Sequence, residues 1–172
     1  DRGLGGERVF PLADRLVQLG VPFAFLTGYD KHAVFPDRYR SVPALQKPVS
    51  RPAIAAMVER LTVRQAAARY GGFPEERLSD EAFLRETAAE LGIKGAGSAS
   101  PGSLLVAVYE EVAERKIAGP TFVTEYPIDV SPLSRRNDER PEIVDRFELI
   151  VRGREIANAF SELNDPLDQK ER

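Results

Sequence analysis

Two strand-like runs, residues 146–151 and 154–163, are separated only by Arg152-Gly153. A link that short predicts an antiparallel hairpin, because a parallel return needs a crossover of a dozen or more residues. The C-terminal part of the chain is therefore expected to be α+β, with helices packed on a sheet. Within runs that otherwise read as core stand Glu148, Glu155, Asn158, Phe160 and Glu162. Buried carboxylates are costly unless cations or hydrogen-bond donors satisfy them, so the cluster points to a cationic or metal ligand. With a two-residue turn, Glu148 pairs with Ala157 and Ile150 with Glu155, which puts Glu148 and Glu155 on one face. Oxygen ligands of this kind suit Mg²⁺, which takes one or two carboxylates plus phosphate oxygens. The same register sends Asn158, Phe160 and Glu162 to the opposite face, since side chains alternate with period two. One site using all five residues requires a bulge or another turn. The alternative is an amphipathic hairpin whose Glu148, Glu155 and Glu162 face solvent, balanced by Arg146, Arg152 and Arg154.

Upstream of the hairpin the texture is helical. Thr62 caps an Ala-rich helix running to Tyr70 and ended by Gly71-Gly72. Residues 79–91 form another helix, with Asp80 and Glu81 in its first turn and Gly92 after it. Residues 95–102 are a Gly/Ser-rich loop without the Gly-Lys-Ser/Thr ending of a phosphate loop. Residues 104–116 are amphipathic through Leu104, Leu105, Val108 and Val112, and residues 120–127 have strand composition.

The N-terminal third alternates differently. An amphipathic helix over residues 5–20, an apolar strand over 21–27, a polar helix over 31–39, a second apolar fragment at 42–46 and a helix over 50–61 follow in order. In the last of these, Ser50 is the cap and Ile54, Met57, Val58 and Leu61 share a face. That order is the alternation of a doubly wound α/β sheet. Charge separates the two parts: residues 1–61 carry nine Lys/Arg against six Asp/Glu, and residues 62–172 carry fifteen against twenty-one.

Composition narrows the chemistry further. The chain has no Cys and one His, His32, which excludes disulfides and thiolate nucleophiles and disfavours His-rich metal sites or a Ser-His-Asp triad. His32 reads as an ordinary surface residue. No stretch approaches a membrane span and the start has no signal architecture, so a cytoplasmic protein is expected.

Two resemblances follow from the motifs. Asp1 with Leu4-Gly5-Gly6-Glu7, then Phe25-Leu26-Thr27-Gly28-Tyr29, then Leu45-Gln46-Lys47-Pro48, resembles the C-terminal half of a response-regulator receiver domain. The resemblance implies Asp1 as phosphoacceptor, Thr27 as the hydroxyl that senses the phosphoryl group and Lys47 as its cationic contact. The strands and paired acidic residues that would precede Asp1 in that family are not in the chain.

The runs Pro120-Thr121-Phe122-Val123-Thr124-Glu125-Tyr126-Pro127, Val130-Ser131-Pro132-Leu133-Ser134-Arg135-Arg136-Asn137, and Arg146-Phe147-Glu148-Leu149 through Gly153-Arg154-Glu155-Ile156-Ala157-Asn158-Ala159-Phe160-Ser161-Glu162-Leu163-Asn164-Asp165-Pro166 resemble the catalytic domain of class II lysyl-tRNA synthetases. That resemblance implies Glu148 and Glu155 as Mg²⁺ ligands against ATP phosphates, and Asn158, Phe160 and Glu162 as the lysine pocket. No protein nucleophile is implied. It further implies ATP as substrate, lysine and tRNA(Lys) as partners and a homodimer for the intact family. The motifs expected to grip the α-phosphate and the nucleotide are not seen, so the chain alone is expected to be inactive. The expectation is thus a fused pair: α/β, partial receiver-like and doubly wound, over residues 1–61, followed by α+β, a partial synthetase antiparallel sheet with helices, over residues 62–172.

Overall fold

The computed structural model describes residues 9–28 and 35–171. Asp1 and His32, named above, lie outside the described residues. The chain divides into two compact units between Val58 and Glu59.

In the first unit, helix α1 (Phe10–Gln18) takes Pro11 in its opening turn and is followed by Gly20 at φ 62°, a left-handed stop. Strands β1 (Phe25–Thr27) and β2 (Ala44–Gln46) pair in parallel, with Thr27 beside Gln46. An aromatic cluster holds the unit together. Phe25 stacks on Phe35 at 4.3 Å between centroids, Phe10 stacks on Tyr39 at 5.6 Å, and Tyr39 is fully buried. The Tyr39 hydroxyl donates to Asp14 Oδ1 at 2.5 Å, and Arg38 donates to both oxygens of the same carboxylate. These contacts hold the Asp14 carboxyl below its usual range.

The helix expected over residues 50–61 is shorter than its apolar spacing implied. Helix α2 covers only Arg51–Ala55, with Ser50 Oγ accepting from Ala53 N, and Ile54 is exposed. Residues Glu59–Thr62 instead form strand β3. The reason is tertiary: Leu61 is buried beside Val123 across a parallel ladder, and burial with paired backbone outweighs a local helical pattern.

The second unit is a four-stranded sheet in the order β3-β4-β5-β6, with β4 at Thr121–Thr124, β5 at Arg146–Val151 and β6 at Arg154–Phe160. Strands β4, β5 and β6 are antiparallel as expected, but β3 joins β4 in parallel, so the sheet is mixed. Helix α3 (Val63–Gly71) follows β3 directly through a capping box: Thr62 Oγ1 accepts from Gln65 N, and Gln65 Oε1 from Thr62 N, both at 3.0 Å. Helix α4 (Glu81–Glu90) is capped by Asp80, which stands at the N-cap rather than inside the first turn.

Helix α5 (Pro101–Val112) begins earlier than its apolar stripe suggested, because Ser100 caps it and Pro101 suits the first position. A Cβ at Gly102 would lie 2.6 Å from Pro127 Cβ as well as 2.0 Å from Asp129 Oδ1, so a side chain there would have to displace both. Its residues Leu104, Leu105, Val108, Tyr109 and Val112 are buried in one core with Leu61, Val123 and Ile150. Strand β6 ends at Phe160, short of the residue 163 expected for the strand-like run, and helix α6 (Pro166–Glu171) follows after five residues.

Candidate functional site

The hairpin turn forms as the sequence implied. Arg152 and Gly153 have φ of 53° and 65°, the doubly left-handed geometry of a tight two-residue turn. Gly153 is required a second time: a Cβ would meet the Arg115 carbonyl at 2.7 Å, while its N–H donates to Ile117 O at 2.8 Å.

Register departs from the simple hairpin in one place. Ile150 pairs with Glu155 as expected, but Leu149 pairs with Ala157 and Glu148 with Asn158, because a bulge between Leu149 and Ile150 leaves Ile156 without a partner. One extra residue inverts the alternation beyond it. Glu148, Ile150, Glu155, Asn158 and Phe160 therefore share a face, together with Arg146 opposite Phe160. The expected placement of Asn158 and Phe160 on the other face is corrected by this bulge. Ile150, fully buried, marks the same face as the one packed toward the helices.

Side-chain contacts bear out the register. Glu148 is 9% exposed, and its Oε1 accepts from Arg146 Nη2 at 2.5 Å and from Asn158 Nδ2 at 3.3 Å. Arg146 also donates through Nη1 to Ser131 Oγ at 2.9 Å and through Nε to Asn158 Oδ1 at 3.3 Å, and its guanidinium lies 4.4 Å from the Tyr126 ring centroid. Glu148 is thus no solvent-facing residue, whereas Glu155 and Glu162 are exposed. Phe160 is 43% exposed. Glu162 forms an isolated antiparallel bridge with Ser134, flanked by Arg135 N donating to Ser161 O and Leu163 N to Leu133 O. The segment around Ser131–Arg135 is thereby laid beside the end of β6.

Helix α5 and the turn after it add negative charge. Burial and then the neighbouring Glu114 and Glu148 charges push the Glu110 carboxyl above its usual range, and burial with Glu148 and Glu155 does the same to Glu114. The Tyr109 and Tyr126 hydroxyls are buried, make no hydrogen bond to the described residues, and are held protonated first by burial. Among the described residues no three acidic or histidine side chains converge as a ligand set. Two carboxylates on one face, in a negative field, fit an ion that keeps most of its water and takes phosphate oxygens, as Mg²⁺ does.

In the first unit, Thr27 is buried and Lys47 exposed, and the two are adjacent through Lys47 N donating to Thr27 O at 2.8 Å.

In the sequence alone Arg146 reads only as a charge balancing exposed glutamates. Its position two residues before Glu148 on a strand was the available signal, since period two places both on one face. Ser131, Glu110 and Glu114 carried no such signal, because only tertiary packing brings them to the hairpin.

The family model for class II tRNA synthetases (D, K and N) matches residues 27–172. It therefore begins inside the segment expected to be receiver-like and includes Thr27 and Lys47. The chain is 51% identical over 113 residues to a lysine–tRNA ligase of Magnetococcus marinus, and 50% identical over 117 residues to those of Haemophilus influenzae and Pectobacterium carotovorum. Each alignment covers 66% of this chain and 23% of the relative, so the chain spans about a quarter of the length of these curated relatives.

Proposed function

Because the chain belongs to the class II tRNA synthetase family (D, K and N), we propose that residues 59–172 are a central piece of a lysine–tRNA ligase catalytic domain. The reaction is two-step: the lysine carboxylate attacks the α-phosphate of ATP and pyrophosphate leaves, then a hydroxyl of the terminal ribose of tRNA(Lys) attacks the lysyl carbonyl of the adenylate and AMP leaves. The observation that carries this reading is the β5–β6 bulge, which puts Glu148, Glu155, Asn158 and Phe160 on one face, with Glu162 two residues beyond the end of β6.

In that reading Glu148 and Glu155 hold Mg²⁺, which would neutralise phosphate charge. Phe160 packs on the lysine methylene stem and Glu162 pairs with its ammonium, a charge-assisted contact. Asn158 orients the polar groups of the amino acid. In this reading the chemistry rests on positioning and electrostatics rather than on a protein nucleophile. The intact enzyme would act as a cytoplasmic homodimer. No helix among the described residues is long and apolar enough to cross a membrane.

Isothermal titration of a non-hydrolysable lysyl-adenylate analogue with Mg²⁺ tests the reading. Binding lost in Glu162→Ala supports it, and no binding by a cooperatively melting chain contradicts a self-sufficient pocket.

A second reading is supported by the adjacency of Thr27 and Lys47 at the ends of two parallel strands. Here the first unit is a phosphoacceptor module of receiver type. It requires Mg²⁺-dependent modification by acetyl phosphate that disappears in Asp1→Ala, and an unmodified wild-type chain would end it.

A further inference from the structure

Arg146 is tied into the hairpin by four contacts at once: Glu148 Oε1, Ser131 Oγ, Asn158 Oδ1 and the face of Tyr126. Its side chain is 19% exposed. Tyr126, which supplies the platform, is 2% exposed and cannot shift without disturbing the core. A guanidinium held on three sides has one orientation, and its Nε–H is then aimed at Asn158.

The chemistry of the three partners allows one arrangement. Arginine only donates and an ionised carboxylate only accepts, whereas an asparagine amide offers one end of each kind. Asn158 lies between them, accepting from Arg146 Nε at Oδ1 and donating to Glu148 Oε1 from Nδ2, each at 3.3 Å. Turning the amide over would set N–H against N–H and oxygen against carboxylate. We propose that Arg146 is a positioning residue that, with Glu148, locks the polarity of the Asn158 amide. This deepens the lysine-pocket reading and rests on it for the ligand. Each end of the amide keeps unused capacity, one N–H and one lone pair. The locked group presents these as a fixed donor beside a fixed acceptor, the pattern that suits the α-amino and carboxyl groups of an amino acid. Lysine in place of Arg146 keeps the charge but lacks the planar fork that reaches Ser131, Glu148 and Asn158 together.

Two measurements on the full chain test the proposal. In the first, the side-chain amide protons of Asn158, assigned against Asn158→Ala, are followed by hydrogen exchange. They are expected to be slowed in the wild type and to exchange about tenfold faster in Arg146→Gln and Arg146→Lys, in line with loss of a charge-assisted bond. In the second, a non-hydrolysable lysyl-adenylate analogue is titrated in the presence of Mg²⁺. Arg146→Gln is expected to weaken binding about tenfold, but to change it by less than about twofold in an Asn158→Ala background. A purely structural role predicts equal penalties in both backgrounds, and a purely electrostatic one predicts rescue by Arg146→Lys; either result overturns the proposal. Failure of the wild type to bind the analogue removes the lysine-pocket reading alone. The amide exchange then decides on Arg146, with unchanged exchange in Arg146→Gln overturning the inference and accelerated exchange sustaining it.

Discussion

Asn158 stands directly across the ladder from Glu148 and donates to its Oε1 at 3.3 Å. In an unbulged hairpin closed at Arg152-Gly153, Ala157 would occupy that place and Asn158 would point to the opposite side of the sheet. The extra residue, Ile156, is 62% exposed and contributes little to the core, yet it determines which side chains meet.

At Gly153 the turn that closes this hairpin has no room for a side chain. Gly153→Ala is expected to lose about 1–3 kcal/mol, from a left-handed backbone and from contact with the Arg115 carbonyl. Urea unfolding monitored by circular dichroism measures it, and an unchanged midpoint would show that the turn relaxes freely.

Glu148 and Glu155 should separate in stability while agreeing in cation binding. Glu148→Gln removes the ionised partner of Arg146 in a nearly buried pair and is expected to cost about 1–3 kcal/mol, whereas Glu155→Gln, at an exposed position, should stay within about 0.5 kcal/mol. Mn²⁺ binding followed by electron paramagnetic resonance should weaken in both. Retention in either variant would remove that residue from the cation site.

Glu110 and Glu114 supply a pH dependence of known sign. Both carboxyls titrate above their ordinary value of 4.5 in the folded chain, so the folded state holds protons that the unfolded state has released. Their contribution is fully present below the ordinary carboxylate range and is lost as pH rises through the raised values. Without divalent ions, the double variant Glu110→Gln/Glu114→Gln should therefore match the wild type at low pH and have the higher urea midpoint at pH 7. The opposite order at pH 7 would show that these carboxylates are stabilised rather than crowded.

The buried hydroxyl of Tyr109 makes no hydrogen bond to the described residues. Its removal in Tyr109→Phe should leave stability unchanged or raise it by about 1 kcal/mol, since an unsatisfied polar group is desolvated without return. A loss larger than that would reveal a bond through water or to Tyr126.

Local signals made much of this architecture readable. Thr62 and Gly72 bound a helix because side-chain capping and a left-handed glycine act within a few residues. The Arg152-Gly153 turn declared the hairpin for the same reason. Leu61 reads as a helix residue in the sequence, since its spacing after Ile54 and Val58 is helical, and only its partner Val123, distant in sequence, makes it a strand residue. The site was legible in its residue types but not in its geometry. Alternation along β6 places Asn158 correctly only once the bulge is known, and nothing in the run Arg154-Glu155-Ile156-Ala157 announces it. Arg146 was visible as a charge, while its platform, Tyr126, lies after Glu125, whose φ of 61° takes the chain out of regular strand geometry.

The bulged face of β5–β6, with Glu162 beyond its end, is the proposed lysine pocket. Isothermal titration of the non-hydrolysable lysyl-adenylate analogue into the purified chain with Mg²⁺, alongside Glu162→Ala, tests it most directly. Saturable binding by the wild type is expected, and its loss in Glu162→Ala with an unchanged melting profile. A cooperatively folded wild-type chain that binds nothing, or a Glu162→Ala variant that binds equally well, would contradict it.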